Sequence, residues 1–412
     1  MPSTNSFAGT ATGQMPSTNS FGGIATGQML STNSFAGIAT GHLAQLLLHL
    51  PQIHSSTPMA FRIAIWFILY IPFISLGQSE FPAPCHSVNS TVKDSTISRI
   101  AFGSCAKQSK NMPVLLSAKA AKPDVFIWLG DNVYGDTDDM AVMRAKYNEL
   151  SCRPEFKALN STVPFLATWD DHDYGQDDMG KEYRFKEASK VEFMQFWNEP
   201  KDSERYAHLG IYHSRIVGPV GQRVQFIMLD TRTFRDAILP AQGKGTKHDY
   251  RPHTDTTPTM LGEEQWAWLG NVLREPAELR IICSSTQFGI SYNGYEAWAN
   301  FPHEQKRMAQ LVKTTRANGV VFISGDVHWA EMSKYEAEGC YPLYDITSSG
   351  ITQTWPTVEG NTNRVGRVFK PNNFGLIDID WNSEDPHLHF RIANRNGIHV
   401  RNHKVKLSEL KF

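Results

Sequence analysis

Two hydrophobic rhythms take turns along this chain. Short, nearly unbroken apolar runs end in polar residues: RIAFGS from Arg99, DVFIWLGD from Asp124, VPFLATWDD from Val163, VQFIMLD from Val224, ELRIICSST from Glu278 and GVVFISGD from Gly319. Runs of this length, rich in Val, Ile and Phe, predict strands buried on both faces. Between them, NMPVLLSAKAAK, MAVMRAKYNELSCRPEFKAL, KEASKVEFMQFW and PHEQKRMAQLVKTTRANG carry apolar residues at helical spacing, and Gly319 is the predicted stop of the last. The tail changes period. GLIDIDW and HLHFRIA alternate residue by residue, with Asn396-Gly397 as a turn, and predict antiparallel strands completing a sheet. The whole predicts an α/β layered fold with no linker to divide it.

The N-terminal part obeys neither rhythm. Its first 42 residues are three near-copies of a fourteen-residue unit of Ser, Thr, Asn and Gly with a single Phe, too little apolar surface to offset chain entropy, so disorder is expected. Farther on, Met59 and Arg62 precede an uncharged run from Ile63 to Leu76, with Ser75 and Gly77 as small residues for cleavage, the layout of a secretory signal peptide. The run is shorter than the roughly 20 residues of a spanning helix. The expected organisation is a repeat extension over 1–58 upstream of a start at Met59, a signal peptide over 59–77 and one domain over 78–412. An uncleaved signal anchor is the alternative.

Secretion agrees with two further features. Asn89 and Asn160 each open an NST glycosylation sequon, and all five cysteines follow the expected cleavage point. The C-terminal KVKLSELKF lacks the apolar tail of a lipid-anchor signal, so a soluble extracellular product without stable membrane insertion is expected. A net charge of -1 offers no bulk attraction for nucleic acid as a partner.

Three of the predicted strands end in metal-type ligands. VFIWLGD delivers Asp131, with Asn132 and Tyr134 behind it; PFLATWDDHD delivers Asp170, Asp171, His172 and Asp173; VVFISGDVH delivers Asp326 and His328. Sites in open α/β sheets form beyond the carboxyl ends of strands, so the three clusters should converge. Buried carboxylates at close range repel one another and lose hydration, which a cation offsets. One such strand end alone is often only a turn or a helix cap; three with Asp and His together point to a metal site.

The motifs GSC with Cys105, GDNVYGD, WDDHDYG, LDTRTFR and GDVHWAE, in this order over roughly residues 97 to 380, resemble those of the alkaline phosphatase D type, or PhoD-like, metallophosphatases. The resemblance implies a calcineurin-like four-layer αββα sandwich, a multinuclear centre of iron(III) and calcium, and hydrolysis of phosphate monoesters and diesters. By motif position it makes Asp131 the carboxylate bridging two metals and Cys105 and Tyr134 ligands of iron(III), with Asp171, Asp326 and His328 completing the centre. Asp171 stands where the wider superfamily has asparagine. His172 becomes the group that donates a proton to the leaving oxygen, and hard oxygen ligands suit calcium.

Some residues carry two readings. Arg232 suits a pair of phosphate oxygens, or pairs with a nearby acid such as Asp230 and only holds its loop. Cys105 is a metal ligand, or a buried thiol, or half a disulfide; as a ligand it leaves four cysteines, enough for two disulfides of undetermined pairing. Gln287 is a weaker candidate for contact with metal or phosphate, and Trp329 and the aromatics of YNGYEAW either line a cleft or simply pack. The expected function is a secreted phosphoesterase that attacks phosphorus in line with a metal-bound hydroxide. Its alternative is a secreted, metal-stabilised binding protein without turnover, in which His172 would have no task.

Overall fold

The computed structural model describes residues 84–241 and 250–412. Contacts divide the chain into two units, Met1–Gln78 and Ser79–Phe412. The repeats and the expected signal segment lie outside the described residues, all of which belong to the second unit.

Two six-stranded sheets form its centre. The first contains β1 (Arg99–Gly103), β2 (Val125–Leu129), β3 (Phe165–Thr168), β12 (Asn373–Asp380), β13 (His387–Asn394) and β14 (His399–Lys406), in the order β14-β13-β12-β1-β2-β3. The second contains β4 (His213–Val217), β5 (Val224–Met228), β8 (Leu279–Cys283), β9 (Val320–Ser324), β10 (Ala330–Tyr335) and β11 (Leu343–Ser348), in the order β10-β11-β9-β8-β5-β4. A short β6 (Leu239–Pro240) pairs with β7 (Tyr250–Arg251) outside both. In the first sheet three consecutive neighbours run parallel, β1-β2-β3, and in the second four, β5-β8-β9-β11, so their carboxyl ends emerge together.

Strand periodicity builds the layers. Val125, Ile127 and Leu129 of β2 join a core that includes Phe226, Ile281 and Ile323 of the second sheet, whereas Phe126 and Trp128 point the other way. There they meet Val114 and Leu115 of α1 (Pro113–Ala120), Met143 and Tyr147 of α2 (Met140–Cys152), Phe156 of α3 (Pro154–Asn160) and Phe193 of α5 (Lys186–Phe196). Between α3 and α5 a single turn, α4 (Asp171–Tyr174), follows β3. On the second sheet, α6 (Gly262–Val272) and α7 (Pro302–Thr315) add Trp266, Leu269, Met308 and Val312. Helices, sheet, sheet and helices give the αββα sandwich.

Local chemistry changed several boundaries. The helix predicted from Met140 to Leu159 is two, because Arg153 precedes a proline and sits extended (φ -63, ψ 129). Helix α7 stops at Thr315, with Arg316 left-handed at φ 51. Gly319 serves the next turn instead: its φ is +68 and a Cβ there would lie 2.3 Å from the Glu278 carbonyl oxygen. The tail holds three strands, since the polar β14 adds an edge whose side chains face water and carry little hydrophobic signal.

The cysteines correct an expectation. Cys85 and Cys152 form a disulfide, while Cys105, Cys283 and Cys340 are free thiols, so one bridge stands where two had been allowed. Cys283 lies inside β8 with no cysteine beside it and packs as a small apolar residue. Asn160 is placed inside the fold. Its side chain is 1% exposed, its Nδ2 donates to the Ser87 carbonyl at 2.8 Å and its Oδ1 accepts from the Asn89 N–H at 2.9 Å. A glycan on that nitrogen would displace the contact with Ser87. Asn89 itself is exposed.

Candidate metal centre

Six parallel strand ends meet at one rim. Cys105 follows β1, Asp131 follows β2, Asp170 to Asp173 follow β3, Arg232 follows β5, Ser285 follows β8, and Asp326 and His328 follow β9. Four of these side chains are aimed by left-handed backbone: Cys105 (φ 60), Asp131 (φ 49), Asp326 (φ 74) and His328 (φ 61). Each such residue costs on the order of 1–3 kcal/mol, a strain that collects at functional sites. The turns also need glycine. A Cβ on Gly130 (φ +92) would lie 2.4 Å from the Asp170 Cβ, and one on Gly325 would lie 2.4 Å from the Ser104 hydroxyl oxygen.

A thiol, a phenol and an imidazole converge on Asp131. Its Oδ2 lies 3.4 Å from the Cys105 Sγ and 3.1 Å from the Tyr134 hydroxyl, which is itself 3.1 Å from the His328 Nε2. Bonds of about 2.0–2.3 Å at right angles to one ion put neighbouring donors about 3 Å apart, the spacing seen here. Asp131 belongs to two donor groups: one with Cys105 and His328, another with Asp171 and His172. It is the only one of these five residues in both, as a bridging carboxylate must be. Asp326 lines the same cleft without joining either group.

The polar atoms left over fit a cation. Asp131 Oδ1, Asp171 Oδ1 and Asp326 Oδ2 are buried without a hydrogen-bond partner, a condition that costs free energy unless something positive pairs with them. Burial pushes the Asp131 carboxyl and the Cys105 thiol well up, each aided by neighbouring acids. For Asp171, burial opposes charge, but His172, Arg232 and the Asp178 N–H outweigh it and hold the carboxyl below its usual range. Burial and the charge on His172 lower His328 to about 4, which keeps its imidazole neutral and its nitrogen free to bind a metal.

His172 sits differently. Its Nδ1 is 2.6 Å from the Asp136 Oδ1, and its ring packs on Tyr134 with centroids 4.2 Å apart. Burial alone would lower its pKa, but Asp171, Asp131 and Asp136 push it up to about 12. Asp173 joins none of the donor groups: it accepts from the Asp170 N–H at 2.7 Å and from Asn132 at 2.6 Å, locking the turn that presents Asp171.

Arg232 is set behind the residues that line the cleft. It is wholly buried, its Nε donates to Asp170 at 2.5 Å, its Nη2 pairs with Asp170 and Glu296, and Asp171 lies at 3.7 Å. The reading as an acid's partner therefore describes its place, with different acids from the one expected. Asp230 instead accepts the backbone N–H groups of Arg232, Thr233 and Ile211 and the Trp169 indole. Gln287 is spent as well, donating to Glu331 and Thr347 at 2.9 Å each, and Trp329 is fully buried on Glu331.

The cleft is also lined by Tyr295, one of the aromatics of YNGYEAW, and by residues given no role from sequence: Asp177, Asp178, Glu296 and Trp355. Asp136, likewise without an assigned role, reaches His172 from beyond the rim. Asp136 was visible as the second acid of GDNVYGD. Glu296 and Trp355 lie in loops without strand-end context, so no local signal marked them.

Paired mixed sheets flanked by helices, with a donor cluster at their carboxyl ends, define an α/β sandwich with a candidate metal site. The family model described as PhoD-like phosphatase matches residues 100–390, well over half of the chain, and the chain belongs to that family. Alkaline phosphatase D of Bacillus subtilis (strain 168) is 26% identical over 208 residues, which are 45% of this chain and 35% of that protein. A protein of Arabidopsis thaliana named probable inactive purple acid phosphatase 14 is 29% identical over 162 residues, 38% of each chain. This chain thus matches little more than a third of the length of those curated relatives. The solved structure of PhoD is alike in fold, with a TM-score of 0.53 at 18% identity, covering 78% of this chain and 73% of that one.

Proposed function

We propose that the protein is a secreted, metal-dependent phosphoesterase acting on phosphate monoesters, diesters or both. The observation that carries this reading is the position of Asp131 in both donor groups, between Cys105, Tyr134 and His328 on one side and Asp171 and His172 on the other. Cys105 and Tyr134 would hold iron(III) as thiolate and phenolate, with His328 beside them. Asp171 and Asp326 offer hard oxygens to calcium, with Asp131 common to both ions. Cations held there supply Lewis-acid polarisation of the phosphoryl oxygens and an activated water.

The chain's own residues do the rest. Asp136 accepts the proton of the His172 Nδ1, which leaves the Nε2 of this cleft-lining ring for chemistry. With the charges of Asp131 and Asp171 spent on metal, Asp136 sustains the imidazolium, so that His172 donates a proton to the leaving oxygen near neutral pH. Arg232 holds Asp170 and Glu296 and keeps Asp171 in position without touching substrate. The Cys85–Cys152 disulfide and the exposed sequon at Asn89 support passage through an oxidising, glycosylating compartment. Among the described residues no helix is long and apolar enough to cross a membrane.

The test is hydrolysis of an aryl phosphate by purified protein with and without chelator, with metal analysis of the same sample. Chelator-sensitive turnover with iron and calcium present is the expected result. Bound metal with no turnover on any phosphate ester would favour the binding-protein alternative, and stoichiometric zinc alone in active protein would overturn the metal assignment.

A further inference from the structure

The cleft has one apolar wall. Two half-buried rings, Tyr295 and Trp355, stand in it with centroids 4.5 Å apart at 72°, and Val327 adjoins them; the rest of the lining is carboxylate and imidazole. Trp355 also meets the His328 ring at 5.4 Å and 75°. Both rings line the cleft and keep part of their surface exposed there.

Both rings are registered to the donor groups. The Trp355 N–H donates to the His328 carbonyl at 3.2 Å. Three residues earlier, the Thr352 N–H and hydroxyl donate to the Cys105 carbonyl at 3.1 and 3.0 Å, and that hydroxyl accepts from the Lys107 N–H at 2.7 Å. Tyr295 is held by its own N–H on the Asn293 Oδ1 at 2.8 Å and precedes Glu296, which is tied to Arg232 and Arg235. The loop carrying Trp355 is thus bound through backbone to two residues of the metal-type cluster, and the ring keeps a constant offset from it. A ring held that way is preorganised for a group attached to the phosphoryl centre.

We propose that Trp355 and Tyr295 form a stacking wall that selects phosphate esters whose organic group is a flat aromatic ring, such as an aryl or nucleobase-bearing ester. The inference rests on the phosphoesterase reading and names the substrate class of that site. The wall's size decides against a long acyl chain: beyond Val327 no aliphatic residue among the described residues lines the cleft to continue an apolar groove. A planar group gains dispersion and quadrupole contact with two rings at once, whereas a small alkyl group touches little of either.

Binding, not turnover, tests it, because aryl and alkyl esters also differ in leaving-group chemistry. Calorimetric titration of the metal-loaded protein with phenylphosphonate and with methylphosphonate should show phenylphosphonate about tenfold tighter, the size of one good ring contact. Trp355→Ala should bring the two affinities together by weakening only the phenyl compound, and Trp355→Phe should retain most of the preference. Equal affinities in the unsubstituted protein, or an equal loss of both in Trp355→Ala, would overturn the wall alone. Failure of both phosphonates to bind the loaded protein would overturn the wall together with the phosphate-ester reading beneath it.

Discussion

The Nδ1 of His172 and the Oδ1 of Asp136 stand 2.6 Å apart, joining the turn after β3 to the loop after β2. That pair leaves one nitrogen of the ring for chemistry and makes the ring basic. Loss of the imidazole in His172→Ala should lower turnover on alkyl phosphates by roughly 10²- to 10⁴-fold, with a smaller defect on aryl phosphates, whose oxide leaves without protonation. Asp136→Asn should act more mildly and through pH. Asp136 raises the His172 pKa, so without its charge the proton is lost at lower pH, and the alkaline limb of kcat/KM on an alkyl ester moves down. An unmoved limb would remove Asp136 from the mechanism.

Asp131→Asn should behave unlike either. Its carboxylate belongs to both donor groups, so removing its charge should empty the site of metal and abolish turnover on aryl and alkyl esters alike. Metal content decides the comparison. If His172→Ala loses metal to the same extent, His172 is a ligand and not a proton donor.

Arg232 is expected to matter for stability more than for substrate affinity. Its guanidinium is buried with Asp170 and Glu296, and breaking such a group by removing one partner costs about 3–5 kcal/mol. Urea unfolding of metal-free Arg232→Ala should show that loss. A variant of unchanged stability with a raised KM for phosphate esters would return Arg232 to substrate binding.

One pH effect can be isolated at Asp345. Burial pushes this carboxyl up from 3.8 to about 6, while it accepts from the Phe288 and Gly289 N–H groups and the Ser324 hydroxyl. The folded protein therefore holds this proton more tightly than the unfolded chain. Its contribution to stability is full below the unfolded value and is lost as pH rises through about 6. Relative to the parent, Asp345→Asn should gain stability between about pH 4.5 and 7.5, read as the difference in Tm. A constant difference across that range would contradict the assignment.

Glycan occupancy separates the two sequons. Intact-mass analysis after expression in a glycosylating host should find one N-linked glycan, removed by Asn89→Gln. Asn160→Gln should leave the mass of the glycan unchanged and lower Tm, because Asn160 bridges Ser87 and Asn89 from inside the fold. A glycan found on Asn160 in folded protein would show that this contact does not form.

Much of the framework is local and therefore legible along the chain. Buried strands announce themselves by unbroken apolar runs, and Asp131, Asp171, Asp326 and His328 could be picked out because parallel strands deliver their ends to one rim. Cys105 and Tyr134 gained meaning only beside motifs of a known kind. Pairing across distance was not legible. The partners of Arg232 come from residues 62 and 64 positions away, the disulfide joins cysteines 67 apart, and Asn160 is buried against a segment more than 70 residues earlier. Tyr295 and Trp355 meet from separate loops with no periodicity to mark them. Composition and spacing determined which side chains could bind a cation and which segments could form sheets. The packing of two sheets decided which charges are spent on one another, which sequon is open to water and which rings face the cleft, because burial and contact belong to the folded chain and not to any stretch of it.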